Sequence, residues 1–191
     1  HDSHADYVLK CLNSNLNLFV EKPLCITDNE LEQIKSSFVK IISQNFPEAE
    51  IIAGVATGAI AHGVLVAEAM NLPFIYIRSS AKEHGMANLI EGKLDKNSKV
   101  VVIEDLISTG GSSLKAVDAV RNAGATVLGM VSIFTYGFKV AEENFQKSGC
   151  KLLTLSNYND LIASASESGY IKPEDLETLK NWRKNPENWH Y

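Results

Sequence analysis

The sequence predicts an α/β fold, a central and mainly parallel sheet flanked by helices. Three observations carry this. Short apolar runs of strand length alternate along the chain with segments of helical period. The runs IIAGV (51–55), KVVVIED (99–105) and TVLGMVSIF (126–134) are apolar nearly throughout, as strands are when both faces of a sheet are covered. And 191 residues suffice for one well-cored domain but are short for two. Residues 1–191 are therefore read as a single domain, without repeats or low-complexity linkers.

The elements follow in order. LEQIKSSFVKIISQNF (31–46) places Leu31, Ile34, Phe38, Ile41, Ile42 and Phe46 on one helical face, and Pro47 stops the helix. IIAGV is a buried strand. AIAHGVLVAEAMNL (59–72) is a small-residue helix able to pack closely on a sheet, with His62 read as structural. PFIYIRS (73–79) is β-branched and aromatic, hence a strand. KEHGMANLIEGKLDKNSK (82–99) is polar and without clear period. An irregular segment of that length inside a compact domain is usually a functional lid, and residues 80–98 are assigned as a mobile loop. After the strand 99–105 comes a helix over 112–124, stopped by Gly124. The strand 126–134, a helix over 140–149 ending at Gly149, and the strand 151–156 follow. Two closing helices complete the chain, 161–169 and 173–185, the second with Pro173 in its first turn.

Composition excludes several classes. Apolar residues are 45%, charged residues 21% and the net charge is −5, so no bulk attraction to nucleic acid or an anionic membrane is expected. Cys11, Cys25 and Cys150 are widely spaced with no CxxC, which argues against a disulfide framework or a zinc site and fits a reducing, cytoplasmic setting. No apolar run approaches the roughly 20 residues of a membrane span. The chain opens HDSHAD, with neither Met nor a basic-then-apolar signal pattern, and His1, His4 and His190 are terminal.

The chemistry concentrates in VVIEDLISTGGSS (101–113). In parallel sheets ligands sit at the carboxyl ends of strands, and Glu104 and Asp105 end one. Glycines and small hydroxyl residues then let backbone N–H groups converge, and the following helix turns its amino end to the same spot. Ser108, Thr109, Ser112 and Ser113 can add hydroxyl donors. The stretch is neither GxxxxGK[ST] nor GxGxxG. Two acids beside a phosphate cradle make sense for a ligand carrying hydroxyls or a metal next to its phosphate, such as a ribose 5-phosphate. Helix capping accounts for one serine, but not for two acids and a diglycine.

EDLISTGGS resembles the phosphoribosyl-pyrophosphate motif of the type I phosphoribosyltransferases, and within them the orotate phosphoribosyltransferases. AGVATGAI (53–60), IRSSAKEHGMANLIEG (77–92) and VSIFTYGF (131–138) extend the resemblance, which is close over about residues 50–140. It implies that fold with a small hood from residues 1–30, and transfer of ribose 5-phosphate from phosphoribosyl pyrophosphate to orotate. Glu104 and Asp105 would hold the ribose hydroxyls. Leu106, Ile107, Ser108, Thr109, Gly110, Gly111 and Ser112 would surround the 5-phosphate, with Ser108 also near orotate. Thr57 and Gly58 would lie along the pyrophosphate, and Arg78 would pair with it. Lys82 and His84 would close over the site of a neighbouring subunit in a homodimer with shared sites. Lys82, His84 and Asp105 are the implied catalytic residues. Mg²⁺ is the implied cofactor, bridging substrate oxygens without a dedicated side-chain cage. Read alone, Lys82, Glu83 and Lys93 are solvated loop charges and Arg78 an exposed ion-pair partner.

One segment departs from the pattern. The family's GxKSP stretch, counted back without gaps from Ile51, falls within residues 7–22, with its lysine position on Ser14; Lys22-Pro23 is the candidate in another register. Two alternatives therefore stand beside orotate: transfer to another base, or a non-catalytic sensor of phosphoribosyl pyrophosphate, the latter disfavoured by an acidic chain with no spare nucleic-acid-binding module.

Overall fold

A computed structural model of the chain describes residues 27–78 and 89–186. The elements are α1 (Asp28–Asn45), β1 (Ile51–Val55), α2 (Ile60–Ala69), β2 (Phe74–Ile77), β3 (Ile90–Glu91), β4 (Lys99–Ile107), α3 (Gly111–Asn122), β5 (Thr126–Thr135), α4 (Lys139–Ser148), β6 (Leu152–Asn157), α5 (Tyr158–Glu167) and α6 (Pro173–Lys184). One six-stranded sheet has the order β3-β2-β1-β4-β5-β6. All pairings are parallel except β2 with β3.

Period-two alternation within fully apolar strands gives the sheet two covered faces. Ala53, Val55, Val100, Val102 and Met130 point to one side, where Val117 and Val120 of α3 and Phe145 of α4 meet them. Ile52, Val101, Ile103, Val131 and Ile133 point to the other, against Phe38 and Ile42 of α1 and Val66 of α2. Phe38 and Ile42 are fully buried, each stabilising the fold by roughly 1.5–3 kcal/mol through lost apolar exposure. A third cluster joins Phe134, Tyr158 and Ile162 to Trp182 and Leu179 of α6.

Three boundaries differ from the sequence expectation. Helix α1 starts earlier, because Thr27 and Glu30 form a reciprocal capping box: Thr27 N–H donates to Glu30 Oε2 (2.9 Å) and Glu30 N–H to Thr27 Oγ1 (3.3 Å). Strand β4 continues past the acids to Ile107, since Leu106 and Ile107 pair with Phe134 and Thr135 of β5. The assigned loop 80–98 is irregular over a shorter span. Ile90 and Glu91 form a strand against Ile77 and Tyr76, and Arg78 N–H donates to Leu89 O at 2.8 Å. A two-residue strand has too few positions to show a period. Residues 79–88, with Lys82 and His84, and residues 1–26, with Ser14, Lys22 and most of the hood, lie outside the described residues.

Candidate active site

The strand order places the site. The chain leaves β1 for α2 on one face of the sheet and β4 for α3 on the other, so the loops after these adjacent strands diverge and open a crevice at their carboxyl ends. A cleft of about 820 Å³ lies there, lined by Ala56, Thr57 and Gly58 after β1, Arg78 after β2, Glu104, Asp105 and Leu106 of β4, and Ser112, Lys115 and Asp118 of α3. The Ala56–Thr57 peptide is cis. A Cβ built on Gly58 would overlap the Asp105 carboxylate, so the two loops meet through backbone on one side and an acid on the other.

Glu104 is buried at the floor of this cleft. Its Oε2 accepts from Ser113 Oγ at 2.8 Å and its Oε1 from Asp105 N–H at 3.0 Å. Burial, reinforced by a hydrogen bond to the Asp105 carboxyl, pushes Glu104 up to about 8, while Ser113 and the Asp105 amide oppose that rise. The shift favours the neutral form of Glu104, which lessens the repulsion toward an anion in the neighbouring loop.

That loop is built for backbone approach. Gly110 sits at φ +79°, buried, where a Cβ would meet the Phe145 ring at 2.8 Å. Asn144 Nδ2 donates to Thr109 O at 3.0 Å, so α4 holds the loop from behind. Gly110 occupies the N-cap position of α3 with no side-chain hydrogen bond capping the helix, so the capping serine of the simpler sequence reading is not what starts it. The first-turn amides of α3 and the exposed Gly111 and Ser112 share this end of the helix.

The predicted residues do not all play alike. Thr57, Gly58, Arg78, Glu104, Asp105, Leu106 and Ser112 come together around the cleft. Ser108, Thr109 and Gly110 form the turn beside it, and Gly111 opens α3. Ile107 is fully buried, so its side chain belongs to the core. Arg78 lines the cleft and also pairs with Glu91, Nη1 to Oε1 at 3.4 Å. Ser113 differs from expectation: it turns inward to Glu104, since it lies on the face of α3 packed on the sheet. Sequence reading missed Asn144 and Phe145 as supports of the loop, because nothing local in NFQKSG marks a contact some 35 residues back.

A phosphoribosyl transferase domain model matches residues 26–162, most of the chain. The chain belongs to the phosphoribosyltransferase family. The orotate phosphoribosyltransferase of Porphyromonas gingivalis is 58% identical over 156 residues, 82% of this chain and 74% of that protein. Two solved structures share the fold: orotate phosphoribosyltransferase from Aeropyrum pernix (TM-score 0.62, 23% identity, 86% of this chain and 99% of that one) and adenine phosphoribosyltransferase from Leishmania tarentolae (TM-score 0.61, 23% identity, 86% and 92%). Enzymes named for a pyrimidine and for a purine thus share this architecture. No helix among the described residues is long and apolar enough to cross a membrane.

Proposed function

We propose that this phosphoribosyltransferase moves the ribose 5-phosphate of phosphoribosyl pyrophosphate onto orotate, giving orotidine 5-phosphate and pyrophosphate. The observation that carries it is the paired carboxyls of Glu104 and Asp105, set between the Gly58 backbone and the glycine-rich loop at the sheet's switch point. The acceptor is supported by the relative named for that activity, 58% identical.

In this reading Glu104 and Asp105 accept hydrogen bonds from the ribose hydroxyls, and the 108–112 loop donates amide and hydroxyl protons to the 5-phosphate. Thr57 and Gly58 run along the pyrophosphate, with Arg78 opposing its charge. The bond from ribose C1 to the pyrophosphate oxygen breaks, its electron pair leaving with pyrophosphate. A ring nitrogen of orotate forms the new bond and gives up its proton. Among the described residues no three His, Cys, Asp or Glu side chains gather around one point. Two neighbouring acids suit Mg²⁺, which commonly keeps several waters and takes substrate oxygens besides one or two carboxylates. Mg²⁺, when bound, supplies charge neutralisation for the departing pyrophosphate. Lys82 and His84 would add positive charge and exclude water, across the subunit boundary of a homodimer in the cytoplasm.

The deciding experiment is incubation with phosphoribosyl pyrophosphate, Mg²⁺ and a panel of bases. Pyrophosphate release with orotate alone is expected. Release with a different base replaces the acceptor, and silence with every base alongside tight phosphoribosyl-pyrophosphate binding makes the chain a sensor.

A further inference from the structure

The turn Tyr136-Gly137-Phe138 follows β5 at the same end of the sheet. Tyr136 N–H donates to Ile107 O at 3.1 Å, stitching the turn to the strand end between Asp105 and Ser108. Helix α6 reaches over it. Arg183 Nε donates to Tyr136 O and Nη2 to Gly137 O, both at 2.8 Å. One planar guanidinium thus spans two successive carbonyls, a fork that lysine cannot reproduce. Gly137 adopts φ +62°, and a Cβ there would lie 2.7 Å from Arg183 Nη2. Trp182 packs on the rings of Tyr136 (5.9 Å) and Phe138 (6.2 Å), which stack on each other at 5.3 Å with planes 5° apart.

The arrangement meets the residues assigned to the donor through the Ile107 backbone and the Leu106 side chain in the third cluster. In the sheet β4 lies between β1 and β5. With pyrophosphate against the β1 loop, a displacement at C1 brings the incoming base from the opposite side, toward β5. We infer that Arg183 is a positioning residue for the acceptor: it holds the 136–138 turn in the shape that receives the base. The inference rests on the proposed transfer reaction. It assigns a task to a helix beyond the matched domain, which ends at residue 162.

The test is steady-state kinetics of the full chain with Mg²⁺, orotate and phosphoribosyl pyrophosphate, comparing wild type with Arg183→Ala, Arg183→Lys and Gly137→Ala. Arg183→Ala and Gly137→Ala are expected to raise KM for orotate about tenfold or more while KM for phosphoribosyl pyrophosphate stays within about twofold. Arg183→Lys, with one donor restored, should fall between. A merely structural clasp would lower Tm and the active fraction while leaving both KM values alone, and that result overturns the inference. So does an equal rise in both. A wild type that binds phosphoribosyl pyrophosphate yet turns over no base defeats the proposed reaction and this inference together, whereas an active wild type with unchanged variants defeats the inference only.

Discussion

Ser113, in the first turn of α3, and Glu104, near the end of β4, are joined by a 2.8 Å hydrogen bond within the core. Strand and helix are therefore held in one register, and the acid keeps a fixed height relative to the phosphate loop between them. Replacing Ser113 with Ala leaves a buried carboxyl short of a partner. A loss of about 1–3 kcal/mol is expected in urea melts. Because the Ser113 bond also opposes the upward shift of Glu104, the variant should titrate that acid at a higher pH than wild type.

The Glu104 shift has a sign that can be tested twice. Its folded value, about 8, lies above the ordinary 4.5, so the free protein binds this proton more tightly than the unfolded chain does. The stabilising contribution is full below about 4.5 and is lost as pH rises through about 8. Glu104→Gln cannot ionise, and the wild-type minus Glu104→Gln difference in Tm should fall across that window. A ligand whose hydroxyls donate to the ionised acid must expel the proton. Calorimetry of phosphoribosyl pyrophosphate with Mg²⁺ at pH 7, in buffers of different ionisation heat, should show proton release by wild type that Glu104→Gln lacks. Identical buffer dependence in both proteins would sink the assignment.

Gly58 and Asp105 compete for one volume. Gly58→Ala should displace the acid, at a cost of about 1–3 kcal/mol in stability from overpacking. Phosphoribosyl-pyrophosphate affinity should fall about tenfold, the scale of a lost charge-assisted hydrogen bond. In an Asp105→Ala background the stability cost of the same change should largely vanish, and additivity of the two substitutions would argue against a shared space. Asp105→Asn keeps the shape, so it should weaken ligand binding with Tm nearly unchanged.

Shared sites make a separate prediction. Chains carrying Lys82→Ala and chains carrying Asp105→Ala should each be inactive as pure species. After subunit exchange, mixtures should recover activity, up to about one quarter of wild type if each dimer has two independent sites. No recovery despite demonstrated exchange would place both residues in one subunit's site.

Much of this molecule was legible in its sequence for local reasons. Unbroken apolar strands announced a sheet covered on both sides, and ED followed by STGGSS marked the strand end at which the cleft opens. Gly124 and Gly149 marked helix ends because each needs a positive φ, +89° and +61°. What escaped was built from distant partners. The 90–91 strand exists only by pairing with β2. Ser113 reads as one more loop hydroxyl until α3 packs and turns it inward. Trp182 and Arg183 look like ordinary residues of an amphipathic terminal helix, since their partners lie 46 and 47 residues earlier for Arg183.

That separation has a consequence in time. Synthesis proceeds from the amino end, so the carbonyls of Tyr136 and Gly137 emerge well before the guanidinium that satisfies them. At about 5–20 residues per second, the interval is roughly 2–10 s. The crevice between β1 and β4 draws all its described lining from residues up to 122, so every residue of that lining is synthesised before the clasp on the turn after β5. On the proposed reaction, the residues assigned to the donor precede the clasp assigned to the acceptor in the order of synthesis.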